Sequence, residues 1–245
     1  MKMNTFKLLF TAAIASMLFS CNNNDTTEPA KEEAAAPADT ATSMQMTAPP
    51  PAAAFTPFDV MEISHSVKDY EKWRPAFDTD STERNASGLE KLVVARNMDK
   101  PNNIYMAFKV SDIQKAKDFG AAPRLKEVMD KAGVNSKPVV SFVHVIRFNT
   151  EAKEKKWVII THKVKDFDAW LKVFDAEGTA ARADQGLYDA VMARGINDPN
   201  MITLAFDVKD VEKAKRSIMS EEKKKLMASA GVEGTPVIEF YNSQD

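Results

Sequence analysis

The stretch Ile63-Ser64-His65-Ser66-Val67-Lys68-Asp69-Tyr70-Glu71-Lys72-Trp73 returns later in the chain. It reads there Ile160-Thr161-His162-Lys163-Val164-Lys165-Asp166-Phe167-Asp168-Ala169-Trp170. Each copy runs on to a Phe-Asp pair, Phe77-Asp78 and Phe174-Asp175. One extra residue then enters the second copy, and a single register holds to its end. Arg84 matches Arg182, Gly88 matches Gly186, Arg96 matches Arg194, and Pro101-Asn102 matches Pro199-Asn200. Asp112 matches Asp210, Ala132-Gly133-Val134 matches Ala230-Gly231-Val232, and Pro138 matches Pro236. A period of this length is far too long for a solenoid, so each copy is a domain-sized unit. The repeats occupy 58–148 and 157–245, with a charged connector at 149–156 that includes Glu151, Lys153, Glu154, Lys155 and Lys156.

Within a copy the pattern reads β-α-β-β-α-β. The first strand is Val60–Val67 or Trp157–Val164, where apolar and polar residues alternate. Asp69 or Asp166 caps a helix whose aromatics recur at i, i+3 and i+7: Tyr70, Trp73 and Phe77, or Phe167, Trp170 and Phe174. Strands at Leu89–Arg96 and Ile104–Val110, or Leu187–Arg194 and Ile202–Val208, flank a Pro-Asn turn. Asp112 or Asp210 starts a second helix. It is interrupted around Gly120 to Pro123 in copy one, restarts near Ser220 in copy two, and closes at Gly133 or Gly231 as C′ glycine. Pro138 or Pro236 opens the last strand. The order is that of the split-βαβ, ferredoxin-like α+β plan. A four-stranded sheet with helices on one face leaves its other face open, and the second copy is there to cover it. The connector holds that partner at high effective concentration. The expectation is a monomeric chain forming a pseudo-dimeric α/β barrel, although exchange of copies between chains would use the same surfaces.

Upstream lies different material. Lys2 and Lys7 precede an apolar run from Leu8 to Phe19, too short to span a bilayer permanently, so 1–20 has the plan of a secretory signal. It ends in Leu18-Phe19-Ser20-Cys21, which resembles a bacterial lipobox, with Phe19 in place of the usual small residue. The resemblance implies that Cys21 carries acyl chains such as palmitate and fixes the protein to a lipid bilayer. The other reading is an ordinary signal peptide with an incidental cysteine. Residues 21–57 hold half of the 12 prolines, runs of Ala, and hardly a large apolar side chain before Phe55. Such a composition predicts a disordered tether. The location implied is the bacterial cell envelope, facing the periplasm rather than the cell exterior.

Composition removes several functions. With 33 Lys and Arg against 35 Asp and Glu, the net charge of −2 gives no drive toward nucleic acid. One cysteine and three histidines leave no disulfide framework and no basis for expecting a metal site. With 8 glycines and neither a GxGxxG nor a GxxxxGK[ST] motif, the usual phosphate cradles are missing, and no cofactor is expected.

The shared pattern is His-x-Val-x-Asp-aromatic-x-x-Trp, a central Arg, a Pro-Asn turn, and Met-x-x-Ala-Gly-Val before a Pro-led strand. It resembles small bacterial proteins of the dimeric α/β-barrel superfamily, in particular those called antibiotic-biosynthesis-monooxygenase-like or cyclase-like. The likeness covers almost all of 58–243, twice. It implies two ferredoxin-like units closing one barrel, with a ligand pocket between each sheet and its helices. It also implies that a cofactor-independent oxygenase, isomerase or cyclase is one candidate activity.

His65 and His162 occupy equivalent positions and share a strand face with Ile63 and Val67, or Ile160 and Val164. Each imidazole is either an acid/base catalyst or ligand-orienting group, or a core histidine satisfied by a backbone carbonyl. Trp73 and Trp170 either stack on a flat ligand or pack in the core. Arg84, Arg182, Arg96 and Arg194 either recognise an anion or decorate the surface. Asp78 and Asp175 either pair with a nearby base or stay solvated. Three functions stand open: an envelope protein binding a small apolar or aromatic ligand, an enzyme using His65 and His162, and a structural duplication with no ligand site.

Overall fold

A computed structural model describes residues 55–245; the signal, Cys21 and most of the tether lie outside the described residues. The first repeat runs β1 (Phe58–Ser66), α1 (Tyr70–Thr79), α2 (Ser81–Ala86), β2 (Leu89–Asn97), β3 (Asn103–Val110), α3 (Ile113–Ala121), α4 (Pro123–Lys131) and β4 (Val139–Phe148). The second runs β5 (Lys156–Val164), α5 (Phe167–Glu177), α6 (Thr179–Asp184), β6 (Tyr188–Gly195), β7 (Met201–Asp207), α7 (Val211–Ile218), α8 (Glu221–Ser229) and β8 (Val232–Ser243).

Local chemistry starts these helices where the sequence places them. The carboxylates of Asp69, Asp112, Asp166 and Asp210 each accept from backbone N–H groups of the first turn that would otherwise lack acceptors. Each helical segment is split in two: the break in the second segment of each repeat is the one expected, and the break after α1 and α5 is a departure from the single helix expected there. Pro123 opens α4, and Ser220 caps α8. Gly178, at φ 80°, separates α5 from α6. Gly133 and Gly231 end the later helices with φ near 80°, the left-handed conformation glycine adopts without a Cβ clash.

The strands close into one barrel in the order β1-β3-β2-β8-β5-β7-β6-β4, every neighbour antiparallel. Within each repeat the order is that of the ferredoxin-like sheet. Two seams join the halves: β4 with β6 and, over a shorter run, β2 with β8. The chain is therefore an α+β pseudo-dimer built from tandem ferredoxin-like repeats. One detail differs from the sequence reading. Pro236 lies inside β8, because Val232 and Glu233 already pair with Val164 and Lys163 of β5. In the first repeat the matching contact is only the isolated Val67–Val134 bridge, and β4 begins after Pro138.

Strand alternation sorts the core into layers. One parity packs against the helices: Met61, Ile104, Met106 and Phe108 around Trp73 in the first repeat, and Val158, Ile160, Leu204 and Phe206 around Trp170 in the second. The opposite parity fills the barrel with Val60, Ala107, Val143, Val145 and Ala193, and with Ala95, Ile159 and Tyr241. Among the described residues no helix is long and apolar enough to cross a membrane.

Candidate functional site

The alternation that buries Met61 and Ile160 carries His65 and His162 into the layer between sheet and helices, where they are 7% and 5% exposed. The His65 ring meets Trp73 edge-on at 5.6 Å, and Trp73 stacks on Phe77 at 4.9 Å. In the second repeat the spacings are 5.6 Å for His162–Trp170 and 5.2 Å for Trp170–Phe174. Neither nitrogen of either ring has a hydrogen-bond partner among the described residues. The core-histidine reading required a carbonyl there, and none is in reach. Burial lowers both imidazoles to a pKa of about 4, so at neutral pH each ring is uncharged, with one donor and one acceptor. A buried polar group without a partner costs about 1–3 kcal/mol.

The aromatic column ends on a buried arginine. Arg84 lies over the Phe77 ring at 3.8 Å and its Nη1 donates to the Phe77 carbonyl at 2.7 Å. Arg182 does the same with Phe174, at 3.8 Å and 2.7 Å. Both were open to reading as surface residues; the short helices α2 and α6 fold them inward, to 7% and 2% exposure. Each then faces a carboxylate that a second cation also holds: Asp80 between Arg84 and Arg124, Glu177 between Arg182 and Lys223. His65, Trp73 and Arg84 line one pocket of about 70 Å³, and His162, Trp170 and Arg182 line its counterpart of about 60 Å³. Apart from these histidines, arginines and carboxylates, and Lys223 in the second, the walls are apolar.

Arg96 and Arg194 do not join them. Each donates from Nε to the carbonyl of its turn proline, Pro101 or Pro199, at 2.8 Å. Each covers the first aromatic of its helix, Tyr70 at 4.2 Å or Phe167 at 3.7 Å. Asp78 and Asp175 are paired, with Arg74 and Arg147. His144 meets Asp59 at 2.7 Å.

The barrel interior holds polar groups that the sequence reading passed over. Two cavities of about 400 and 450 Å³ share Glu62, Tyr105, Val143, Ile159 and Thr203. Tyr105 donates to Glu62 at 2.9 Å, Ser141 to the other Glu62 oxygen at 2.8 Å, and Tyr241 to Glu239 at 2.8 Å. Burial raises the pKa of Glu62, against those two hydrogen bonds. A comparison of the copies was the available signal. Glu62 stands opposite Ile159, Tyr105 opposite Thr203, Ser141 opposite Glu239, and Val143 opposite Tyr241.

No protein-family model and no curated protein sequence matches the chain. Its fold does match solved structures. A candidate chlorite dismutase is 13% identical over 78% of this chain and 96% of that one, with a TM-score of 0.52. A candidate monooxygenase from Fusobacterium nucleatum is 10% identical over 77% and 93%, at 0.51. A haem-binding protein from Thermus thermophilus is 11% identical over 78% and 92%, at 0.50. At such identities the likeness is one of fold. A porphyrin does not fit the histidine pockets as they stand: 60–70 Å³ is far below the ~300 Å³ at which pockets for drug-sized ligands begin.

Proposed function

We propose that the protein is a lipid-anchored envelope protein that binds a compact, largely apolar or aromatic ligand in the sheet–helix pockets of its repeats. One observation carries the reading: His65 and His162, each with two unpartnered, buried ring nitrogens, line a largely apolar pocket at equivalent places in both copies. A ligand with one polar group satisfies the imidazole and removes its desolvation penalty, while the apolar walls take the remainder. The small cavities favour a ligand of few heavy atoms. Attachment at Cys21, followed by the Ala/Pro-rich stretch, suits a receptor or carrier held near a membrane. The acid/base alternative, suggested by the monooxygenase among the structural neighbours, is served less well. A group with a pKa of about 4 is protonated in only about one molecule in a thousand at pH 7.

The test is native mass spectrometry of the full-length protein solubilised from its own envelope. A small ligand released on activation is expected, and it is lost from the His65→Ala/His162→Ala double variant. Protein that emerges free of ligand, or a ligand kept by the double variant, overturns the reading; retention would place the ligand in the barrel interior. Metabolic labelling with a palmitate analogue tests the anchor. Incorporation disappears in Cys21→Ala if Cys21 is the site, and persists if it is not.

A further inference from the structure

The larger cavity of the barrel interior, about 450 Å³, receives carboxylates without a base to match them. Glu62 of β1 and Glu239 of β8 both line it, on the strand parity that also turns Val60 and Tyr241 inward. They are not a duplicated pair. Glu62 has Ile159 as its counterpart and Glu239 has Ser141, so each half supplies one acid from a different strand. Among the described residues, no lysine, arginine or histidine lines this cavity. Its third acid, Asp198, is already held by Lys163 at 2.8 Å. Glu62 accepts from Tyr105 and Ser141, and Glu239 from Tyr241 and Asn97, all of them neutral donors. The two acids are linked through those tyrosines, whose rings lie 5.3 Å apart.

Two further observations mark the space as a site. Thr203 lines both interior cavities at 6% exposure, and its hydroxyl has no hydrogen-bond partner among the described residues. The unpartnered side-chain atoms sealed from solvent are the nitrogens of His65 and His162 alone, so the Thr203 hydroxyl keeps open surface, and on this residue that surface belongs to the cavities. Val139, Val140 and Val237 are exposed and line the larger cavity as well, so it reaches the surface through an apolar rim.

Chemistry then selects the occupant. Burial raises the pKa of Glu62 against its two hydrogen bonds, because no cation offsets the charge. An ammonium group supplies that charge together with three donors for the surrounding oxygens. Val143 and Ile159 offer apolar wall to a hydrocarbon chain. A divalent metal ion is served less well. It takes about six or more oxygen ligands, and the described residues gather no set of three metal-ligating side chains. The volume falls within the ~300–1,000 Å³ of small-molecule sites.

We propose that the barrel interior binds a small alkylammonium ion, with its charge offset by Glu62 and Glu239 in the space that Thr203 also lines. Neither acid lines a histidine pocket, so this site is additional to the sheet–helix pockets and stands independently of them.

Calorimetric titration of the full-length protein with n-butylammonium chloride, in amine-free phosphate buffer at pH 8, tests it. One cation per chain is expected. 1-Butanol, which keeps the chain and lacks the charge, binds about tenfold more weakly or worse. Glu62→Gln/Glu239→Gln, close in shape and uncharged, weakens butylammonium binding by about tenfold or more, while far-UV circular dichroism shows the variant folded. If the double variant does not fold, Glu239→Gln alone carries the test and must weaken binding. The proposal is overturned by no binding in the parent protein, by equal affinity for 1-butanol, or by binding unchanged in the folded variant. It is also overturned if Ca²⁺ displaces butylammonium and loses its own binding in the same variant, which would make the carboxylates a metal site.

Discussion

Acid should loosen this protein through two side chains, His65 and His162. Burial holds both at a folded-state pKa of about 4, against 6.5 for the free group. In the unfolded chain they take up protons below pH 6.5; in the folded chain they stay neutral until about pH 4. The stabilisation is therefore complete above 6.5 and drains away as pH falls toward 4. At pH 5 the loss is about 2 kcal/mol per histidine, and below 4 it approaches about 3 kcal/mol each. For a domain whose total stability is about 5–15 kcal/mol, about 4 kcal/mol from the pair at pH 5 is a large part. Other groups also titrate in this range. Asp175, Asp198 and Asp245 are held low and lose stability in acid, whereas Glu62 and Asp207 are held high and gain it. The assay must subtract them. Urea unfolding at pH 7.5 and 5.0 is compared between the parent protein and His65→Leu/His162→Leu, which keeps apolar volume and removes both titrations. The parent should lose about 4 kcal/mol more than the variant. NMR titration of the imidazole Cε1 protons gives a check that needs no variant. Ring signals that titrate near 6.5, or an equal acid loss in parent and variant, would refute the reasoning.

Two further outcomes follow from buried charge. Arg182→Met removes the shared partner of Asp189, Glu177 and the Phe174 carbonyl, and should cost about 3 kcal/mol in denaturant unfolding, with cooperativity retained. Glu62→Gln should stabilise the barrel relative to the parent at pH 8, and the difference should shrink toward pH 4. The raised folded-state pKa gives stability that is present in acid and lost as pH rises; a difference independent of pH would contradict it.

Much of the architecture can be read from the repeat alone. The recurrence of His65-x-Val67-x-Asp69 at His162 sets the strand parity and puts both imidazoles on one face with apolar neighbours; both faces of the sheet are apolar, so which of them meets the helices shows only in the structure. The aromatic spacing of Trp73 and Phe77 likewise places those rings beneath them. Arg84 and Arg182 were not legible in the same way. They sit on six-residue helices too short to show a period, and their burial depends on a ring and a carbonyl contributed by the preceding helix. The barrel interior was obscured for another reason. Glu62, Tyr105 and Glu239 break the likeness between the copies at single positions, and a search for shared residues discards the positions that differ.

Closing the barrel within one chain also releases it from a symmetry constraint. In an assembly of two identical subunits, a glutamate on this inward strand position would be present twice, once from each side of the central axis. Two carboxyl groups would then share one low-dielectric space, and at least one would be forced to hold a proton. Here Glu62 has Ile159 as its counterpart, and its oxygens are taken by Tyr105 and Ser141 of its own half. Fusion thus lets Glu62 enter the barrel without meeting its own image across the axis.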